Sequence, residues 1–117
     1  MLIWVDLEVY RGGIMNYTEI FKLKEMLEKA KIPFVWKELK DFFNGFQILY
    51  PKNGKECVCS VIEHKFSYGN EKDLLEIMGL LTKKENENDS VVGYLTALNV
   101  YKRIKKHYKE KIENVKP

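Results

Sequence analysis

Two asparagine-glycine pairs, Asn44-Gly45 and Asn53-Gly54, punctuate the middle of this chain and restrict its fold more than any other feature. Such pairs enter positive φ at low cost, and β-favouring runs flank both of them. Phe34 to Leu39, Phe46 to Tyr50 and Glu56 to Glu63 therefore read as three consecutive antiparallel strands, a meander.

What surrounds the meander reads largely as helix. Asn16 followed by Glu19 has the capping-box pattern, and Ile20, Leu23, Leu27 and Ala30 then share one helical face until Pro33 ends the helix. Asn70 with Asp73 caps a second helix carrying Leu74, Leu75, Ile77, Met78 and Leu81. Lys83 to Ser90 is a polar loop, Val91 to Leu95 a short edge strand, and Thr96 the N-cap of a last helix with an apolar stripe of Val100, Tyr101, Ile104, Tyr108 and Ile112. Ahead of all this, Ile3, Val5, Leu7 and Val9 alternate with Trp4, Asp6, Glu8 and Tyr10 until Arg11-Gly12-Gly13, and Met15 is a plausible second start.

The fold class expected is α+β, a three-stranded antiparallel meander packed against two or three helices. Residues 1–14 are an N-terminal extension or an extra edge strand, 15–113 a single domain, and 114–117 a tail. A chain of 117 residues is long enough for one hydrophobic core without staples. A Gly-x-Leu-Thr string occurs at Gly79 to Thr82 and again at Gly93 to Thr96, too short to count as a repeat.

Charge is uneven along the chain. The last nineteen residues carry seven basic and two acidic side chains, a net of +5, against +3 for the whole chain, which leaves −2 for the other ninety-eight. A basic helix on a nearly neutral body points to an anionic partner, nucleic acid or an acidic host protein, with Lys102, Arg103, Lys105, Lys106 and Lys109 as the binding residues. Tyr101, Ile104, Tyr108 and Ile112 are the residues of a homodimer contact, or else of the core. The alternative site is the turn from Glu63 and His64 through Ser67 and Tyr68 to Gly69, where a helix start and a glycine favour a small anion or nucleotide, at a dimer interface or within one chain.

Chemistry of other kinds finds little support. Cys57 and Cys59 lie on one strand face with His64 at the opposite parity, a poor arrangement for a thiolate-imidazole pair. One residue between the cysteines and only His64 and His107 to join them is not zinc spacing. No catalytic set, metal or cofactor is expected. Two cysteines so close suit a reduced compartment, no apolar run reaches the ~20 residues of a membrane span, and Leu2 to Val9 lacks a basic leader; the expectation is a cytoplasmic protein without membrane contact.

Phe46 to Pro51, Cys59 to His64, Ser67-Tyr68-Gly69, Asp73 to Thr82 and Asp89 to Thr96, taken together, resemble small uncharacterised proteins encoded by phages and prophages of clostridia-like Firmicutes. The resemblance covers roughly Met15 to Tyr108. It implies an accessory protein of a mobile element, a class that often blocks host defence proteins, sequesters nucleotide signals or regulates transcription. No residue role comes with it.

Overall fold

The computed structural model describes residues 16–40 and 42–115, in the order α1 (Thr18–Lys29), β1 (Val35–Leu39), β2 (Gly45–Tyr50), β3 (Cys59–Glu63), β4 (Leu75–Met78), α2 (Lys83–Asn88), β5 (Val91–Leu95) and α3 (Ala97–Val115). The class is α+β, as the sequence implies, but the meander has five strands rather than three. Each strand pairs antiparallel with the next in chain order. The strand expected over residues 3–9 and the extension expected over 1–14 lie outside the described residues.

Both Asn-Gly pairs fall at strand connections, and each uses one member in the left-handed region. Asn44 has φ 50° just before β2, and Gly54 has φ 91° in the 3₁₀ turn between β2 and β3. Gly45 serves for another reason. A Cβ there would sit 2.2 Å from the Glu63 carbonyl oxygen and 2.5 Å from His64 Cα, so the strands approach this closely only over a bare backbone.

Residues 70–81 do not form the expected helix. Leu75 and Ile77 are fully buried while Met78 is exposed, a period of two, and left-handed residues bracket the segment: Asp73 at φ 56°, Gly79 at 95° and Leu80 at 56°. No α-helix passes through such residues. The expected loop at Lys83 to Ser90 is instead α2, opened by a capping box in which Thr82 Oγ1 accepts from Glu85 N–H (3.1 Å) and Glu85 Oε1 accepts from Thr82 N–H (2.9 Å). Asn114 and Val115, assigned to a tail, continue α3.

One face of the sheet carries the core. Ile20, Leu23 and Leu27 of α1 and Ala97, Val100 and Ile104 of α3 pack on Ile48, Tyr50, Cys59, Val61, Leu75 and Ile77. Tyr50, wholly buried, finds a polar partner for its hydroxyl in His107 Nδ1 at 2.7 Å, and burial pushes its pKa up to about 12. Trp36, Phe21 and Phe46 extend this layer towards β1, with Trp36 and Phe46 stacked at 5.0 Å.

Gly45→Ala is expected to cost about 2–3 kcal/mol in a urea titration, because the methyl must displace strand backbone. Gly54→Ala, with nothing within 4 Å of its Cβ position, should cost only about 1 kcal/mol from its φ.

Candidate anion-binding face and carboxylate junction

α3 begins where Thr96 Oγ1 accepts from Asn99 N–H at 3.1 Å, the N-cap that the sequence indicates. From there Val100 and Ile104 point into the core, and Tyr101 and Tyr108 pack against its margin. Of the stripe expected to make a homodimer, Ile104 is fully buried within the chain and only Ile112 is well exposed, at 40%. The stripe is the inner face of the helix.

The five basic residues expected on the outer face separate into four and one. Lys102, Lys105, Lys106 and Lys109 are exposed, and none is in an ion pair with another described residue. Arg103 is engaged. Its Nη1 and Nη2 each donate to one oxygen of Glu85 at 2.8 Å, Nη1 also to the Leu80 carbonyl at 3.1 Å, and Nε to Asn99 Oδ1 at 2.7 Å. This fork holds the Glu85 carboxyl down to about pKa 2 and straps α2 to α3. Beside it a groove of about 500 Å³ opens between α3 and the Gly79–Thr82 turn, with Leu80 and Leu81 on one wall and Lys102, Lys106, His107 and Glu110 on the other.

The alternative site is assembled differently from the expected ligand turn. His64 and Ser67 are buried, and Ser67 Oγ accepts from His64 N–H and donates to His64 C=O, both at 3.0 Å. Four N–H groups along the turn are occupied: Phe66 donates to His64 Nδ1 (3.0 Å), Ser67 to His64 O (3.1 Å), Tyr68 to Glu76 Oε1 (2.8 Å) and Asn70 to Ser67 O (3.2 Å). Gly69, at φ 103°, brings the chain against β5, where a Cβ would lie 2.9 Å from Tyr94 N. Burial holds His64 below its ordinary pKa. No α-helix follows this turn.

Cys59 and His64 stand at opposite ends of β3. Burial raises the Cys59 thiol to about 12, and Cys57 Sγ donates to Cys59 O at 3.3 Å. No group of three or more His, Cys, Asp or Glu side chains among the described residues is arranged to hold a metal ion, and no described helix is long and apolar enough to cross a membrane.

Sequence reasoning missed one polar cluster. Asp73 reaches from the β3–β4 connection to the start of α1, its Oδ2 accepting from Thr18 N–H (3.1 Å) and its Oδ1 from Glu19 N–H (3.3 Å). Glu19 in turn accepts from Ala97 N–H at the start of α3, at 2.7 Å. Glu19 thus caps α3, and Asn16 forms no capping box with it. Between these groups lies Glu63, fully buried, neither of its carboxylate oxygens meeting the geometry of a hydrogen bond with another described residue. Desolvation foremost, then Asp73 and more weakly Glu19, raise its pKa to about 9, against a smaller opposing pull from the Ile20 N–H. The Glu63 side chain is neutral at pH 7.

Comparison with known proteins adds no relative: no family model, no curated protein and no solved structure matches this chain.

The raised carboxyl makes a signed prediction. Folded Glu63 keeps its proton up to about pH 9, whereas unfolded it releases it above about 4.5, so its contribution is fully present below pH 4.5 and lost as pH rises towards 9. Between pH 5 and 9 the unfolding free energy should fall by about 1 kcal/mol per pH unit from this group. Glu63→Gln should flatten that slope in urea titrations; an unchanged slope would show that Glu63 is ionised in the fold.

Proposed function

We propose that this chain is a non-enzymatic, phage-type accessory protein that docks an anionic partner, nucleic acid or an acidic host protein, through the outer face of α3. The observation that carries the reading is the set of four exposed lysines, Lys102, Lys105, Lys106 and Lys109, on two turns of one helix. Residues three and four apart on a helix are surface neighbours at about 5–6 Å between Cβ atoms, so the four ammonium groups form a continuous cationic strip. Lys105 Nζ sits 5.8 Å from the Tyr101 ring centre, which keeps that charge close to the helix surface.

Arg103 has a different part in this reading. Its guanidinium is spent on Glu85, so it supports the strip by fixing α2 beside it and contributes little free charge. Tyr101 and Tyr108 are partly buried against the core, which leaves less of either ring for base stacking. Contact through charge along a backbone or an acidic surface suits the strip better than base readout. The His64 to Gly69 turn, whose amides from His64 to Tyr68 are already bonded, has fewer donors to offer a ligand.

Titration of labelled single- and double-stranded oligonucleotides at low and moderate salt tests this. Binding should weaken steeply with salt. Lys102→Glu with Lys106→Glu should lower low-salt affinity at least ~10-fold and reduce the slope of log K against log salt by about 2. Arg103→Lys should reduce stability with little effect on affinity. Affinity unchanged by the double reversal sinks the lysine strip, and no binding at low salt removes nucleic acid as the partner.

A further inference from the structure

The lysines of α3 border an apolar hollow that charge alone does not use. The groove of about 500 Å³ beside them has Leu80 and Leu81 on one wall and Lys102, Lys106, His107 and Glu110 on the other. Both leucines pack against the core with part of their surface left uncovered. Their wall is held in place within the chain. Gly79 and Leu80 turn through the left-handed region at φ 95° and 56°, Thr82 caps α2, and Arg103 holds the Leu80 carbonyl at 3.1 Å while it grips Glu85. On the facing wall, His107 is tied through Nδ1 to the buried Tyr50 hydroxyl. Walls fixed in this way lose little freedom when a guest enters, which favours binding.

Lys102, Lys106 and Glu110 also line a second hollow of about 400 Å³, together with Lys105, Lys109 and Glu113. The two glutamates bear on which anion fits. A nucleic-acid strand carries a phosphate at every nucleotide, about one negative charge per 3.4 Å of strand, so a strand lying along the lysines brings phosphates beside Glu110 and Glu113 as well. A protein segment can space its carboxylates to meet the lysines, set a neutral residue opposite Glu110, and turn one apolar side chain into the leucine-walled groove.

We infer that the partner of this face is an acidic protein segment that seats one large apolar side chain between Leu80, Leu81 and α3 and lays its carboxylates along Lys102, Lys105, Lys106 and Lys109. This rests on the reading of α3 as the docking face and narrows it, adding an anchor to the charge of the strip. Interfaces draw most of their energy from a few such buried anchors, while charge guides approach and orientation. Burial of an apolar anchor is not screened by salt as exposed ion pairing is, so the two contributions separate in a salt titration.

Fluorescence anisotropy with the full chain and three labelled probes reads the outcome. The probes are a short peptide of aspartates and glutamates around a central leucine-phenylalanine pair, the same peptide with serines in place of the pair, and an oligonucleotide of equal charge. The anchored peptide should bind at least ~10-fold more tightly than the serine peptide, and the difference should persist at moderate salt. Leu81→Ser should erase it; if that variant loses its fold by circular dichroism, the peptide exchange on the unaltered chain still decides. Lys102→Glu with Lys106→Glu should weaken both peptides. Equal binding of the two peptides overturns the anchor and leaves the lysine strip standing. An oligonucleotide bound more tightly than the anchored peptide overturns the inference in favour of nucleic acid on the same strip. If none of the three probes binds at low salt, the strip fails together with the anchor.

Discussion

The carboxylate of Asp73 closes the first turn of α1 from a loop that follows 54 to 55 residues later in the chain, and most of the architecture depends on that bond pair. A helix start leaves N–H groups without partners, and a local Ser, Thr, Asp or Asn usually takes them. Here the Tyr17 side chain at the N-cap makes no capping bond, its hydroxyl donating instead to the Asn44 carbonyl, so the cap is tertiary. Glu19, freed from capping its own helix, reaches across 78 residues to the first N–H of α3. The two helices are thereby fixed to the same end of the sheet and to each other. Glu63 is enclosed in the process, and the electrostatics follow: burial foremost, then the neighbouring Asp73 and more weakly Glu19, leave this desolvated carboxyl in its neutral form.

The parts of the fold legible in the sequence were those encoded locally. Periodicity placed α1 and the inner side of α3, Asn-Gly pairs placed the turns around β2, and Val91 to Leu95 read as an edge strand. What sequence reasoning lost depended on distant partners. Asp73 looks like the cap of a following helix because an N-cap is normally local; its own left-handed φ and its bonds to α1 exist only in the folded chain. Leu74 to Leu81 has apolar residues at helical and strand spacings alike, and Gly79 with Leu80 in the left-handed region settles the matter in favour of a strand. α2 was legible and overlooked: Thr82 and Glu85 are a capping box in plain sequence, masked by the charge of the segment.

The two Gly-x-Leu-Thr strings have a shared physical role despite their brevity. Each leads out of a strand into a helix, with the residue after glycine left-handed, Leu80 at φ 56° and Tyr94 at 61°, and the threonine hydroxyl accepting from the N–H three residues on. Glycine admits the close approach such a reversal needs: a Cβ on Gly79 would meet the Val58 carbonyl oxygen at 2.3 Å, and one on Gly93 would meet Tyr68 Cβ at 2.3 Å. The similarity is that of one strand-to-helix turn used twice, which four residues suffice to specify.

For the candidate site, residue type alone could not distinguish a free cation from a structural one. Arg103 and Lys102 are neighbours in sequence with the same formal charge, yet only arginine carries the fork that matches Glu85 in two parallel bonds while also reaching the Leu80 carbonyl. The helix thus divides its basic residues by geometry, arginine inward against α2 and lysines outward.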